Sequence, residues 1–519
     1  MWTNLLPFVA PALLTLAALV AANGPQHRPR VTVLFSEAAA VAALLASIAT
    51  AWYLGQNGPF TIELVGWAGI GLSARIDVVS VTMMLLVSFV GWIVVRYSAT
   101  YLDGEPRQGR FTALLSATLA AVLLLVSAGN LVQLALAWIA TSLLLHKLLL
   151  FYPDRIGAQR AARKKFIAAR LGDVALAAAA LLLAYGFATA DIATILEKAR
   201  QASGEPFVMA AAILLALAAL FKSAQFPLHG WLTEVMEAPT PVSALLHAGV
   251  INAGGFLLIR FADVMLAAPG VLASLALVGG FTALFGGVVM LTQPAVKTSL
   301  AWSTVSQMGF MIFQCGLALF PLALLHIVAH SLYKAHAFLA SGSAVELIAA
   351  NRRPGPVAVP SGRAVVKAFA IALAMYALIG AGFGFADKSP QSIALGAILI
   401  FGVAYLIAQG LADAAPRELT LRTALYSAAA AVGYFALQSA AVKLTAATLP
   451  PTPAAGPLDW AMIVTALLTF GFVAIVQSAF PLWSGHPAAA SLRVHLSNGL
   501  YANAILDRLL GNWSARKPA

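Results

Sequence analysis

Lys222 lies at a place in the sequence where a charge is costly. It sits in the apolar run LLALAALFKSAQFP at 214–227. A lysine at the centre of a membrane-spanning helix costs about 3 kcal/mol on insertion scales, so it usually faces a charged partner or a water path. Pro227 interrupts the run, the turn APTP follows at 238–241, and His247 lies on the next apolar run. A buried lysine, a prolyl break and a buried histidine in this order predict an ion path, not a packing core.

Three further titratable residues share one face of a predicted helix: His326, His330 and Lys334. Their spacing of four residues places them above one another along that helix. Histidine titrates near physiological pH, and an apolar surrounding makes a lysine easier to deprotonate. The stripe therefore predicts a proton relay along the membrane plane. The alternative is a hydrogen-bonded polar seam between packed helices. His336 lies on another face and is a weaker candidate.

Other polar residues in the apolar runs have two interpretations. Lys297 follows Pro294 at the start of a predicted span and is either a surface anchor or a member of the relay. Asp173 can pair with Lys222 on another helix, or with Arg170 one helical turn away. Weaker candidates for the pathway, near span ends or in a loosened region, are Lys147, His146 and Lys388.

The composition predicts a membrane protein. The chain has 519 residues, of which 61% are hydrophobic and 10% charged, and its mean hydropathy is +0.89. Apolar runs of about 20 residues recur along almost the whole length, which is typical of a polytopic all-α membrane protein. We predict about fifteen spans, near 5–22, 34–54, 78–96, 111–128, 130–151, 166–187, 207–226, 243–262, 271–292, 297–319, 321–343, 365–384, 391–411, 421–445 and 459–480.

The sequence carries no signature of enzyme chemistry. Cys315 is the single cysteine, which excludes an intrachain disulfide and a cysteine-based metal cluster. No glycine-rich phosphate loop, HExxH motif or nucleotide fingerprint occurs. We therefore expect no catalytic site, no cofactor and no metal in this chain.

The basic residues that give the net charge of +12 are distributed unevenly among the predicted loops. Basic residues concentrate in loops after odd-numbered spans, such as the group Lys164, Lys165 and Arg170, whereas Arg75 and Arg260 are among the few after even-numbered spans. The positive-inside rule then predicts an N-terminus outside and a C-terminus in the cytoplasm. The excess positive charge thus reflects the orientation of the helices in the membrane and contact with lipid headgroups. It does not indicate nucleic-acid binding. The amphipathic tail at 492–510 is expected along the membrane surface or against a partner.

Several segments together resemble one known family. They are KSAQFPLHGWL at 222–232, APTPVSALLHAG at 238–249, VKTSLAWSTVSQMG at 296–309 and HSLYKAHAFLASG at 330–342. Over residues 70–345 they are similar to the antiporter-like, proton-conducting membrane subunits of respiratory complex I and Mrp-type antiporters. The resemblance implies two inverted five-helix repeats with broken helices, where such folds place ion sites. The breaks are expected near Pro227 and near Gly382 to Lys388.

The implied organisation has five parts. N-terminal helices occupy 1–110, the first five-helix repeat 111–262 and the second 271–411. C-terminal helices follow at 412–480, and a cytoplasmic amphipathic tail at 481–519.

The resemblance also implies roles for individual residues. Lys222 matches the family's buried lysine of helix 7, and His247 matches the histidine of helix 8. Lys297 matches the lysine of helix 10. The stripe of His326, His330 and Lys334 matches the central polar axis of helix 11.

One departure from the family concerns the partner of Lys222. The family usually has a Trp-Glu pair in helix 5, whose glutamate partners that lysine, whereas this sequence reads Trp138-Ile139. The lysine therefore lacks its usual counter-ion. Asp173 is the expected replacement.

The sequence also stops short of the extended lateral helix found in the long complex I subunit. Both departures resemble a stand-alone branch, the membrane subunits of the bacterial inorganic-carbon (DAB) accumulation system. That resemblance implies a subunit of the bacterial inner membrane, conducting H⁺ or Na⁺. It would energise CO₂ hydration to bicarbonate by a cytoplasmic, zinc-binding, DabA-like partner similar to a β-type carbonic anhydrase. The alternatives are a subunit of complex I, a membrane hydrogenase or an Mrp-type antiporter, or a purely structural scaffold.

Overall fold

Long apolar helices make up most of the computed structural model, which describes residues 5–67, 69–342, 360–411, 417–483 and 485–510. Within that part of the chain, 13 helices are long and apolar enough to cross a membrane. Two further helices complete the predicted spans. Pro206–Lys222 is apolar but only 17 residues long, and Val296–Gly316 carries several polar side chains. The predicted polytopic, helical fold class is confirmed.

The helices have the following bounds. In chain order they are α1 (Leu6–Asn23), α2 (Arg30–Asn57), α3 (Val78–Tyr101), α4 (Gln108–Val126), α5 (Leu131–Leu149), α6 (Ile156–Phe187), α7 (Ile192–Ala199), α8 (Pro206–Lys222), α9 (Gly230–Thr233), α10 (Thr240–Ala248), α11 (Ala253–Arg260), α12 (Ala262–Leu266), α13 (Pro269–Met290), α14 (Val296–Gly316), α15 (Phe320–Leu339), α16 (Gly362–Gly382), α17 (Pro390–Gly410), α18 (Arg417–Thr445), α19 (Pro457–Ser478), α20 (Phe480–Trp483), α21 (Pro487–Ser497) and α22 (Ala502–Leu509). Short 3₁₀ turns lie at Val235–Glu237, Val250–Asn252, Phe385–Asp387 and Gly499–Tyr501.

Side-chain caps fix where several helices begin, among them α3, α5 and α7. The side chains of Asp77, Asn130 and Asp191 each accept a hydrogen bond from the backbone N–H three residues later, at the starts of α3, α5 and α7. Such caps satisfy N–H groups that have no partner within the helix.

A β-hairpin between α2 and α3 was not predicted. Strands β1 (Phe60–Trp67) and β2 (Ile70–Ile76) pair antiparallel. The β2 edge also pairs with the α4–α5 connection, since Arg75 N donates to Ser127 O at 2.9 Å. The Asn130 amide donates to the Ser73 hydroxyl at 2.7 Å. The prediction missed the hairpin because its apolar residues form a short run without helical periodicity.

The two expected helix interruptions differ in kind. The first is confirmed, because α8 ends at Lys222 and the next helical turn begins at Gly230. The second, between Gly382 and Lys388, separates α16 and α17, which have 21 residues each. A helix of that length is about 31 Å long, so both flanking helices are long enough to span a membrane without the interrupted segment.

Helix α6 begins earlier than predicted, and this corrects the account of the loop charges. It starts at Ile156 and has 32 residues, so Lys164, Lys165 and Arg170 lie on a helix and not in a loop. Lys164 and Lys165 are buried, at 2% and 5% exposure. The set of basic residues inside the bundle is therefore larger than the sequence suggested.

The apolar core has two main parts. One large cluster joins buried residues from α1 to α15. A second cluster belongs to α16, α17 and α18, with Tyr376 and Phe435 stacked at 5.2 Å. A smaller third cluster links α13, α14 and α15 with α17 and α19.

A buried ion pair ties the start of α3 to the end of α11. Arg260 Nη1 lies 2.5 Å from Asp77 Oδ2, and Arg260 Nη2 donates to the Ser80 hydroxyl at 2.6 Å. Arg260 is 3% exposed, so its assignment as a loop charge was wrong. Burial alone would raise the pKa of Asp77, but the Arg260 and Arg75 guanidinium groups outweigh it and hold that pKa at about 2.

We expect Arg260→Met to destabilise the protein, because it removes the buried cation of Asp77 and the donor of the Ser80 hydroxyl, and leaves the carboxylate with Arg75 alone. Breaking a buried pair in this way costs about 3–5 kcal/mol. Thermal unfolding of the detergent-solubilised protein measures the loss.

Glu418→Gln is the matched control, because it breaks the exposed Arg422–Glu418 pair and should cost less than about 0.5 kcal/mol. Since the Asp77 pKa is depressed, the stabilisation by this pair is complete above about pH 4 and lost as pH falls through about 2. Equal losses in the two variants would contradict the assignment.

Candidate ion-conducting site

The helix that begins at Thr240 is broken inside the membrane-spanning region. Residues 240–260 form one apolar, almost fully buried span, but α10 ends at Ala248 and α11 begins at Ala253. Gly249 leaves the helical conformation, with φ −125° and ψ −80°. A break inside an apolar span frees backbone carbonyl groups that need hydrogen-bond donors. The sequence analysis did not predict this break.

Side chains supply donors to three carbonyl groups at the break. Each donor comes from a different part of the structure: α15, the break itself, and the residue after α8. The contacts are His330 Nε2 with His247 O at 3.2 Å, Asn252 Nδ2 with Ala248 O at 3.2 Å, and Ser223 Oγ with Ile251 O at 3.2 Å.

Helix α14 supplies the partners of the two central basic residues. The His247 Nδ1 atom lies 2.9 Å from the Thr304 hydroxyl, and its ring stacks on Phe338 at 4.3 Å. Lys334 Nζ donates to Leu300 O at 2.8 Å and to the Ser303 hydroxyl. Because Ser303 and Thr304 are neighbours, the contacts of His247 and Lys334 converge on one turn of α14.

Close packing of α13 against α14 holds that turn in place. A Cβ atom added at Gly279 would lie 2.5 Å from Phe313 N, and one added at Gly309 would lie 2.5 Å from Ala283 N. Only glycine permits this backbone approach, which is a common device between membrane helices.

The predicted stripe on α15 faces this seam. His326 Nδ1 lies 2.9 Å from Gln314 Oε1 on α14, and the rings of His326 and His330 are 6.0 Å apart. Beside them, Ser331 Oγ accepts from Asn252 Nδ2 at 2.9 Å. The structure therefore brings His247, His326, His330 and Lys334 together in one polar seam between α10, α14 and α15.

These contacts are compatible with both interpretations of the stripe, a proton relay and a hydrogen-bonded seam between packed helices. Imidazole nitrogens and hydroxyl groups both donate and accept hydrogen bonds, so they can pass a proton along a line of contacts. They also satisfy the groups that packing buries. The seam is chemically able to relay protons and is at the same time part of what holds the helices together.

Lys222 lies beside an aromatic ring and not a carboxylate. Its Nζ is 4.3 Å from the centre of the Trp138 ring and has no hydrogen-bond partner among the residues that the structure describes. Asp173 pairs with Arg170, whose Nη2 is 2.5 Å from Asp173 Oδ2. Of the two partners that the sequence allowed for Asp173, the structure places Arg170 in direct contact.

Lys297 links the starts of two helices that carry the seam. Its Nζ donates to the Thr240 hydroxyl at 3.0 Å, and that hydroxyl lies 3.4 Å from Tyr101 Oη. Lys297 is half-buried, so it stands at the end of the seam and not within it.

Four weaker candidates lie outside the seam. Lys147 and His336 are exposed at the helix surface. His146 packs its ring on Phe166 at 5.2 Å. Lys388 lies over the Phe435 ring at 5.7 Å, beside the second apolar cluster.

Sequence reasoning missed several residues of the site. They are Asn252, Ser303, Thr304, Gln314 and Ser331 in the seam, and Lys165 near Lys222. The uncharged residues gave no signal, because single Ser, Thr, Asn and Gln residues are common in membrane helices. Lys165 could have been found only by placing the start of α6 correctly.

The C-terminal tail docks on the chain's own helix ends. Lys164 Nζ lies 2.6 Å from Glu234 Oε1 and 2.7 Å from Asp507 Oδ1 on α22. Asn503 Nδ2 donates to the Thr233 hydroxyl at 3.3 Å. Burial raises the pKa of Glu234, and the Asp507 carboxylate adds to this while Lys164 opposes it. The tail thus reaches the segment between α8 and α10, which begins directly after Lys222.

Two family models match this chain. The model described as "NADH:quinone oxidoreductase/Mrp antiporter, TM" matches residues 128–353. The model described as "NADH-Ubiquinone oxidoreductase (complex I), chain 5 N-terminus" matches residues 64–112. The first match contains the whole seam and Lys222.

Relatives include transporter and respiratory subunits. The "Probable inorganic carbon transporter subunit DabB2" of Halothiobacillus neapolitanus is 40% identical over 98% of this chain and 93% of that protein. The "Probable inorganic carbon transporter subunit DabB" of Hydrogenovibrio crunogenus is 47% identical over 54% of this chain and 55% of its own length. The "NAD(P)H-quinone oxidoreductase chain 5" of Synechocystis sp. is 36% identical over 59% of this chain and 46% of its own length.

Two solved structures share the fold. A chain of the Mrp complex from Dietzia sp. aligns with all of this chain and 61% of its own length, with a TM-score of 0.64 and 22% identity. A chain of the archaeal membrane-bound sulfane sulfur reductase aligns with 97% of this chain and 99% of its own length, with a TM-score of 0.59 and 16% identity. At such identities the likeness concerns the fold alone.

We expect Asn252→Leu to destabilise the protein more than Ser331→Ala. The first change leaves the Ala248 carbonyl and the Ser331 hydroxyl without their donor, and each buried unsatisfied group costs about 1–3 kcal/mol. The second change keeps the bond from Asn252 to the Ala248 carbonyl. Thermal unfolding compares the two variants, and equal stability would show that the break does not depend on Asn252.

Proposed function

The chain belongs to the antiporter-like family of NADH:quinone oxidoreductase and Mrp membrane subunits, and on this basis we propose that it conducts protons to energise inorganic-carbon uptake. It is a transporter-type membrane subunit and not an enzyme. The observation that carries the proposal is the polar seam of His247, His326, His330 and Lys334 inside an apolar bundle. Buried ionisable groups in membrane helices are costly and usually mark ion or proton pathways.

The proton route uses the contacts of the seam. Lys334 and His330 stand one helical turn apart on α15, as do His330 and His326. Each contacts an oxygen atom within hydrogen-bond distance: Leu300 O, His247 O and Gln314 Oε1, respectively. The Ser303 hydroxyl accepts from Lys334, and the hydroxyl of the neighbouring Thr304 contacts His247 Nδ1. In the proposed route these two hydroxyl groups carry a proton from Lys334 to His247.

The proposed partner is a cytoplasmic, zinc-binding, DabA-like protein that hydrates CO₂ to bicarbonate. Proteins named inorganic carbon transporter subunits support this, above all the Halothiobacillus relative that aligns along nearly the whole chain. We place the protein in a bacterial inner membrane with its C-terminus in the cytoplasm, as the loop charges predict. The tail then lies on the side of the partner. There its contact with Lys164 connects the partner's side with the segment next to Lys222.

A subunit of complex I, of a membrane hydrogenase or of an Mrp-type antiporter is the second candidate. The match with the Synechocystis quinone oxidoreductase chain, which covers 59% of this chain, supports it. Ile139, at the position of that family's glutamate, favours the carbon-uptake branch. Purification of the chain from its native membrane decides between them. A large zinc protein supports the first function, and quinone or iron–sulfur subunits support the second.

We expect Lys222→Met and Lys334→Met to abolish bicarbonate accumulation in cells that depend on this system. Each change removes a buried group that would take up and release protons. His336→Ala alters an exposed residue of α15, the helix that carries Lys334, and should leave uptake unchanged. Radiolabelled bicarbonate uptake, with membrane levels of each variant as the control, measures the effect. Accumulation that persists in an uncoupled membrane would contradict coupling to an ion-motive force.

We expect Asp173→Asn to impair uptake like Lys222→Met. Comparison with Arg170→Met separates the two possible roles of this carboxylate. If Asp173 balances Lys222 through space, Asp173→Asn lowers uptake and Arg170→Met does not. If it serves Arg170 alone, both variants behave alike. Wild-type uptake in Asp173→Asn would remove this residue from the path.

A further inference from the structure

Lys165 and Lys222 line one small cavity. The cavity measures about 10 Å³, close to the smallest volume that admits one water molecule. These two lysines are the only ionisable residues among its described lining residues. The other walls come from α5, α6, α8, α9, α10 and the break between α10 and α11, and are apolar apart from backbone and the Trp231 ring.

Lys165 is held by the helix that lacks the expected carboxylate. Its Nζ donates to Ser142 O at 2.5 Å and to the Ser142 hydroxyl at 3.0 Å. The residue is 5% exposed. These two hydrogen bonds satisfy the ammonium group in an otherwise apolar site.

One face of helix α5 therefore contacts both lysines. Trp138, which contacts Lys222, and Ser142, which binds Lys165, are four residues apart and lie above one another on α5. Leu145, on the same face, lines the cavity that both lysines border. The ring, the carbonyl and the hydroxyl each favour a cation without fixing it by a full negative charge.

Charged and titratable groups on α5, α6 and α8 surround Lys165. Lys165 interacts electrostatically with His146 on α5, with Lys222 on α8, and with Arg170 and Asp173 on α6 itself. The single carboxylate among them is paired with Arg170. Two buried ammonium groups without a dedicated acid repel one another, so a second proton at this cavity is disfavoured while the first is present.

We propose that Lys165 is the proton-exchange partner of Lys222, and that this lysine pair replaces the lysine–glutamate pair of the family. In the exchange, protonated Lys165 gives a proton to the water molecule in the cavity, and that water gives a proton to neutral Lys222. One N–H bond breaks at Lys165, one forms at Lys222, and the water is regenerated. The inference deepens the proposed function and rests on it.

The test measures proton flux in vesicles that contain the full chain with its native partner, using a pH-sensitive dye under an imposed membrane potential. Lys165→Met should lower the flux at least about tenfold, as loss of a proton-transfer group does. Lys165→Arg should be equally impaired. A guanidinium group keeps the charge and can bond Ser142, but it does not release its proton. Lys147→Met, on the exposed face of α5, is the matched control and should conduct like the wild type.

Ser142→Ala provides a second measurement that does not depend on removing the lysine. Loss of one acceptor should destabilise protonated Lys165 and move the flux–pH profile to lower pH, while the maximal flux stays near the wild-type value. An unchanged profile contradicts the exchange. Rescue of flux by Lys165→Arg also overturns the proposal, because it would show that Lys165 is only a structural anchor.

The outcomes separate this inference from the proposed function. If vesicles that contain the wild-type chain carry no proton flux, the proton-conducting function itself fails. If Lys222→Met conducts normally, conduction stands, but Lys222 is not on the path and the lysine pair fails with it. If Lys222→Met is inactive and Lys165→Met conducts normally, only the lysine pair is wrong. Thermal unfolding of Lys165→Met, compared with Lys147→Met, shows whether a loss of flux comes from a loss of folded protein.

Discussion

The backbone carbonyl groups freed between α10 and α11 are the constraint on which the site depends. In an apolar bundle an unsatisfied carbonyl costs several kcal/mol, so donors must be brought to the break by neighbouring elements. His330 provides one of them by reaching His247 O. That contact fixes the rotation of α15 about its axis. Lys334 and His326, one turn away on either side, are thereby turned toward α14.

Structure and conduction are consequently difficult to separate in this seam. The hydroxyl groups of Ser303 and Thr304 satisfy Lys334 and His247, and they are also the groups through which a proton would pass. Their position depends on the glycine contact of α13 with α14, which contains no titratable residue. A substitution far from any ionisable group can therefore disturb the pathway by moving α14.

The surroundings of Lys222 show how a membrane protein accommodates a cation without its usual acid. A ring face takes the place of a counter-ion, the nearest carboxylate is occupied by Arg170, and a second lysine shares the cavity. Each arrangement stabilises the charge less than a direct ion pair does. A proton held in this way is easier to release, which suits a relay more than a permanent salt bridge does.

The sequence alone determined the membrane-spanning helices and the identity of the main ionisable residues. The length of an apolar run predicts directly that a helix spans the membrane. A spacing of four residues predicts that side chains share one helix face, as it did for His326, His330 and Lys334. Only the tertiary structure decided the pairings. Lys165 and Arg260 looked like loop charges, yet each is buried against a residue distant in sequence, Ser142 and Asp77 respectively. Such contacts depend on how helices pack, and a single sequence carries no local signal for the packing of distant helices.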